Sequence, residues 1–192
     1  MSHLFAYLAR MKFIRRWGLM HNTYPENIQE HSLRVAMIAH ALAVIRNRLF
    51  RGRANPERVA ALALFHDASE VLTGDLPTPV KYFNPGIRTA YQDIENVAKR
   101  KLFDMVPAAL QEEYRPFLLG EGVERADWEL VKAADRIAAY LKCLEELSAG
   151  NHEFSKAEKT LKETVEALDL PEVGYFMATF VPSFKLTLDE LG

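Results

Sequence analysis

Every long segment of this chain repeats its apolar residues with helical period, and three of the stripes that should face inward carry an ionisable group. Asn27-Ile28-Gln29-Glu30 has the form of a capping box, with Asn27 as N-cap and Glu30 reaching back. The helix it opens is expected to run to about Asn47 on a stripe of Val35, Ile38, Leu42 and Ile45, and His31 falls on that stripe one turn before Val35. A second helix starts at Asn55 (cap) and Pro56 (first helical position) and is expected to end near Thr73, with Gly74 as its stop. Its stripe is Val59, Leu62, Ala63, His66 and Glu70, with Asp67 beside His66 and three residues from Glu70. Two prolines and a glycine in Gly74-Asp75-Leu76-Pro77-Thr78-Pro79 predict a stiff turn. Helical period then resumes over about Ile87–Met105 (Ile87, Tyr91, Ile94, Ala98, Leu102, Met105), and a shorter helix follows Pro107. A long helix is expected over about Ala126–Ser148, where Trp128, Val131, Asp135 and Ala138 share a face. Helices near Phe154–Leu168 and Tyr175–Phe180 complete the chain. With no alternating strand, repeat or low-complexity tract, the reading is all-α, a single domain over residues 1–192.

Composition narrows the function classes. The chain has 192 residues, 49% of them hydrophobic and 26% charged, which is ordinary for a globular protein. A net charge of -2 gives no general affinity for nucleic acid. The single cysteine, Cys143, excludes an internal disulfide framework and fits a reducing, cytoplasmic setting. No uncharged run approaches the ~18 residues needed to span a bilayer. The stretch before Glu26 has no acidic residue but contains Arg10, Lys12, Arg15 and Arg16, so an organelle transit peptide is an alternative reading of it.

His31, the adjacent His66-Asp67 and Asp135 supply two imidazoles and two carboxylates from three helices. Burying that much polarity without partners costs several kcal/mol, roughly, and a cation would offset it. Mixed nitrogen and oxygen donors suit a borderline divalent ion better than calcium. Metal-assisted hydrolysis is the chemistry such a set supports. His3, His21, His40 and His152 have no constellation around them, and Lys99-Arg100-Lys101 reads as a solvated helix face.

The order His31, His66-Asp67, Asp135 on successive helices resembles the signature of the HD-domain metal-dependent phosphohydrolases. The surrounding words are more specific: Arg15-Arg16-Trp17, Glu26 to Ser32, His66 to Tyr82, and Lys132-Ala133-Ala134-Asp135. They closely resemble the bacterial HD-domain 5′-deoxynucleotidases over nearly the whole chain, least after about Gly150. The resemblance implies an all-helical homodimer that removes phosphate from deoxyribonucleoside 5′-monophosphates with little base preference. It implies one divalent metal, typically cobalt or manganese, on His31, His66, Asp67 and Asp135. It places a phosphate-orienting arginine at Arg16, a sugar-contacting residue at Trp17, a substrate loop over Asp75, Leu76, Pro77 and Thr78, and an essential acid at Glu70. Asp67 and Asp135 would also face the bound substrate. Other readings remain open: hydrolysis of a cyclic nucleotide, a nucleoside triphosphate or a guanosine polyphosphate, or a non-catalytic sensor that binds a nucleotide at the same metal.

Overall fold

Backbone hydrogen bonds in the computed structural model close almost entirely within helices. It describes residues 1–81 and 83–192; Tyr82, the last residue of the long motif, lies outside them. In chain order the helices are α1 (Leu4–Leu8), α2 (Ile28–Leu49), α3 (Pro56–Phe65), α4 (Glu70–Thr73), α5 (Thr78–Lys81), α6 (Pro85–Asp104), α7 (Gln111–Leu119), α8 (Arg125–Ser148), α9 (Ser155–Glu166) and α10 (Pro171–Thr179). Short 3-10 turns such as Ala9–Phe13 join them. The only extended pairing among the described residues is an isolated antiparallel bridge between Arg15 and Asn27. The all-α expectation is met, and among the described residues no helix is long and apolar enough to cross a membrane.

Local chemistry sets the helix starts. The Asn27 side chain accepts the Glu30 amide at 3.0 Å, and the Glu30 carboxylate accepts the Asn27 amide at 3.1 Å, so both halves of the capping box form. Asn55 caps α3 through the Arg58 amide at 2.9 Å, and Asn84 caps α6 through the Ile87 amide at 2.9 Å with Pro85 just inside. The stripe Val35, Ile38, Leu42 and Ile45 is buried, as the period requires.

Three expectations need correction. The helix from Asn55 does not run unbroken to Thr73: α3 ends at Phe65, a tight turn occupies 66–69, and α4 is a separate short helix. The bonds through this stretch are Ala68 N–H to Phe65 C=O at 3.0 Å and Glu70 N–H to Asp67 C=O at 3.0 Å, three-residue closures rather than four. The stiff turn is shorter than expected, because Thr78 and Pro79 open α5; proline is tolerated in a first helical turn, where its missing N–H is not needed. Ile94, assigned to the buried face of α6, is 54% exposed.

The chain divides into two compact units. The first comprises Met1–His21, Pro25–Leu33 and Leu64–Glu124. Its core gathers Leu4, Ala68, Leu102, Phe103, Val106 and Leu118, with Phe65 and Val71 packed against them. The Phe65 ring meets Tyr114 edge-on at 6.2 Å and Phe117 at 5.6 Å between centroids. Ala68 within the 66–69 turn, and Phe65 and Val71 on either side of it, are thereby seated in apolar packing. The N-terminal stretch belongs to this core through Leu4.

The second unit comprises Asn22–Tyr24, Arg34–Ala63 and Arg125–Gly192. Arg34 grips Glu145 through both terminal nitrogens, at 3.0 and 2.9 Å, and Arg46 pairs with Glu172 at 2.6 Å. Deeper still, Lys142 is 1% exposed and Glu146 0%, and they pair with each other on α8. Glu146 also accepts the amides of Thr23 and Tyr24 at 2.9 and 3.0 Å and the Asn151 side chain at 2.8 Å. Burial pushes the Glu146 carboxyl up, but Lys142, the Tyr24 amide, Asn151 and the Thr23 amide outweigh it and hold the group down at about 2.

Removing one partner of such a pair leaves a buried charge uncompensated, so Glu146→Gln is expected to cost about 3–5 kcal/mol. Because the folded carboxyl titrates below the unfolded one, the unfolded chain binds more protons between the two values. The group's contribution is complete above its ordinary 4.5 and disappears as pH falls toward about 2. The gap between denaturant melts of wild type and Glu146→Gln should shrink as pH falls from roughly 6 to roughly 3. A gap that stays constant with pH would contradict this account.

Candidate active site

The turn at 66–69 gives the adjacent His-Asp pair its use. Consecutive residues on a regular helix point about 100° apart and do not face one another. Tightened here, the backbone lets His66 Nε2 and Asp67 Oδ2 approach to 3.0 Å. His31, on the first turn of α2 and 0% exposed, brings its Nε2 to 3.6 Å from the same Asp67 oxygen. The two imidazoles lie 5.4 Å apart between centroids. One ligand atom from each of His31, His66 and Asp67 lies within 4.8 Å of the others. Donors that share an ion at about 2.1 Å are at most about 4.2 Å apart, so small adjustments bring all three onto one cation. The residues fit a divalent metal.

Electrostatics agree with that use. Burial pushes the Asp67 carboxyl up, but the charge and hydrogen bond of His66, with His31 and Arg16 beyond, outweigh it and hold the group well below the usual range. Asp67 thus stays a carboxylate, the form a metal needs. Glu70, at the start of α4, is 9% exposed, and its Oε2 has no hydrogen-bond partner among the described residues. Burial, then the charges of Asp67 and Asp75, push its carboxyl up to about 10. Glu70 follows the 66–69 turn on a helix of its own, not on one continuous helix with His66.

The loop after α4 is anchored by its backbone. Gly74 sits at φ 72, in the left-handed region that favours glycine, and its N–H closes α4 on Glu70 C=O at 2.8 Å. The Gly74 carbonyl accepts from Thr73 Oγ1 at 2.9 Å and from Tyr91 on α6 at 3.3 Å. Asp75, Leu76 and Pro77 are half-buried and Thr78 is exposed. Burial, helped by the Asp67 charge, holds the Asp75 carboxyl above its ordinary value, although Arg16, His31 and a hydrogen bond from the Trp17 backbone amide pull it down. On α5, Lys81 ties this segment to α6 through Glu95 at 3.1 Å and lies 4.8 Å over the Tyr91 ring.

Arg16 reaches the 66–69 turn directly: one terminal nitrogen lies 3.5 Å from Asp67 Oδ2. Its Nε donates to Glu26 Oε2 at 3.1 Å, and the Trp17 indole N–H donates to that same oxygen at 3.3 Å. Arg16, His31, His66, Asp67, Asp75 and Trp17 are therefore brought together, and Glu70 is in their electrostatic reach. Asp135 lies in the second unit, half-buried on α8 one turn after Val131. Glu26 joins this group without a role that its sequence pattern announces. Its only signal was position, nine residues past Trp17 in a motif word, as the first acidic residue after a basic stretch. His3, His21, His40 and His152 are all exposed.

Comparison with known proteins agrees with this geometry. Residues 3–184 match the model of the YfbR-like 5′-deoxynucleotidases. The chain belongs to that family. It is 58% identical to a 5′-deoxynucleotidase of Vibrio parahaemolyticus over 99% of this chain and 98% of the relative. It is 56% identical to a 5′-deoxynucleotidase of Yersinia pestis over 100% and 97%. Among solved structures, an HD-domain phosphohydrolase from Listeria innocua superposes with a TM-score of 0.81 at 23% identity, covering 94% of this chain and 87% of that one. The cyanophage S-2L HD phosphohydrolase DatZ, solved with dA and one catalytic Zn2+ ion, superposes at 0.66 with 23% identity over 95% and 96%. At those identities the structures establish the HD-domain fold.

Proposed function

We propose that this chain hydrolyses the 5′-phosphate of deoxyribonucleoside monophosphates, releasing deoxynucleoside and inorganic phosphate. The observation that carries the reading is the His31, His66 and Asp67 donor cluster in a chain that matches 5′-deoxynucleotidases end to end. Asp135 is assigned as the fourth ligand from the signature in the sequence. A divalent ion on these residues supplies positive charge for the phosphate oxygens and makes water more acidic. We take cobalt or manganese as the resident ion on the family resemblance, and imidazole with carboxylate suits borderline divalent metals generally.

The chain's own groups do the rest. Phosphoryl transfer asks a protein mainly for positioning and charge neutralisation. Arg16 grips the phosphate, because a guanidinium takes two oxygens at once. Trp17 walls the sugar, and an apolar wall of this kind rejects an added hydroxyl by about 10²-fold. Asp75, Leu76, Pro77 and Thr78 line the substrate, with Asp75 placing it or a water beside the phosphate. Glu70 handles the proton. Arg16→Lys keeps the charge and loses the fork, and should slow turnover about 10²-fold, the scale of an ångström's misplacement. Near-normal rates would argue against a bidentate clamp.

Phosphate release from a panel of nucleotides, with each divalent metal added in turn, tests the whole reading. Turnover confined to deoxynucleoside monophosphates supports it; release from triphosphates or cyclic nucleotides instead, or binding without release, would replace it. A cytoplasmic homodimer completes the proposal. Leu33, Met37 and Val44 leave an apolar stripe exposed along α2, the kind of surface a second copy covers. Sedimentation of the purified chain reads the assembly state.

A further inference from the structure

We propose that Glu26 is a positioning residue that sets the phosphate clamp and the sugar wall together, through one carboxylate oxygen. The inference rests on the deoxynucleotidase reading for the roles of Arg16 and Trp17, and adds a residue that does not belong to the HD signature.

Glu26 is 6% exposed, and its Oε2 accepts from both Arg16 Nε and the Trp17 indole. A buried carboxylate is costly unless its hydrogen bonds are made, so it selects the conformation in which both donors reach it. The way Arg16 is held matters as much as the fact. Gripped at Nε, the guanidinium has its two terminal nitrogens outside that hydrogen bond, on the face that takes two oxygens. One of them leans on Asp67 at 3.5 Å, but Asp67 is a metal ligand, and its charge is committed once a cation binds. The hold from Glu26 does not pass through the donor cluster.

Trp17 shows the same control from its backbone. It has φ 59, a left-handed conformation that a bulky residue adopts only when its surroundings impose it. Two groups impose it: Asp75 accepts the Trp17 backbone amide, and Glu26 accepts the indole N–H. The backbone of Glu26 contributes again, since its carbonyl accepts the Arg16 amide at 3.0 Å beside the Arg15–Asn27 bridge. The next bond along, Ile28 N–H to Ile14 C=O at 3.0 Å, joins this strap to the first turn of α2, which carries His31. Rate and sugar choice are therefore coupled through Glu26, where two unrelated side chains would let them vary separately.

The test compares Glu26→Gln with wild type and repeats it in an Arg16→Ala/Trp17→Ala background, using matched deoxyribo- and ribonucleoside monophosphates. Glu26→Gln keeps shape and an acceptor but not the charge. It should lower kcat/KM for the deoxy substrate about 10²-fold and narrow the deoxy-to-ribo ratio, with metal content unchanged. In the double-variant background the same change should have no further effect. An unchanged ratio, or a full penalty in the double background, would overturn the proposal. Trp17→Phe removes the indole N–H and leaves Glu26 intact, so the ratio must narrow there too, even if Glu26→Gln fails to fold. A readout free of turnover separates this proposal from its parent: the Trp17 indole N–H resonance, assigned by its loss in Trp17→Phe, should move in Glu26→Gln. If wild type releases no phosphate from any deoxynucleotide, the functional reading fails. A Trp17 resonance that stays in place sinks the Glu26 proposal alone.

Discussion

Asp67→Asn is expected to strip the protein of its divalent metal and to lower phosphate release on the order of 10³-fold. The size follows from what the ion supplies, several kcal/mol of charge stabilisation at about 1.4 kcal/mol per factor of ten. Asparagine keeps the volume and an acceptor oxygen, so a purely structural Asp67 would tolerate it. What it lacks is the negative charge toward which His66, His31 and Arg16 are all turned. One oxygen, Asp67 Oδ2, lies 3.0 Å from His66 and 3.6 Å from His31, so it sits at the centre of the donor set. Metal content after dialysis and turnover with saturating cobalt or manganese are the two readouts. A chelator should do to wild type what the substitution does permanently, with activity restored on adding metal. Should Asp67→Asn hold a full equivalent of metal and turn over normally, the donor cluster is not the metal centre.

Much of this was legible because the capping box, the buried stripe of α2 and the inward His31 obey short-range rules that act within a few residues. Asn27 and Glu30 satisfy each other wherever they are placed, and four apolar residues at helical spacing can bury only one way. The break at 66–69 was not legible. The apolar pattern runs through it unchanged, since Ala68 and Val71 pack in the same core as Phe65, and nothing in composition distinguishes a three-residue from a four-residue closure. The functional demand that His66 and Asp67 face one point overrides the local preference for a continuous helix. Glu26 was missed for the opposite reason. Its role depends on the strap at 14–17 lying alongside 26–28, a pairing of two bonds with no alternating pattern to announce it. Likewise α1, five residues long, is too short to show a period.

Glu70→Gln is expected to reduce kcat by about 10²–10⁴-fold, the range that a positioned proton-transfer group contributes, while leaving metal content and melting temperature at wild-type levels. Glu70 is well suited to that task and poorly suited to a structural one. It is buried, yet its Oε2 makes no hydrogen bond to any described residue, which a carboxyl kept for stability would do. Its burial and the nearby charges of Asp67 and Asp75 favour the protonated form. When Asp67's charge is committed to a cation, that repulsion weakens and the carboxyl moves back toward the range where it can both accept and return a proton. Two jobs then lie open to it: taking a proton from the attacking water, or giving one to the departing 5′-oxygen. The substitution separates proton transfer from packing, because glutamine fills the same space and still hydrogen-bonds but cannot exchange a proton with substrate. Near-normal turnover in Glu70→Gln would assign Glu70 to scaffolding and leave Asp75 as the acid to test next. A large loss with metal retained places the proton at Glu70, because a ligand or a packing residue would have lost metal or stability along with rate.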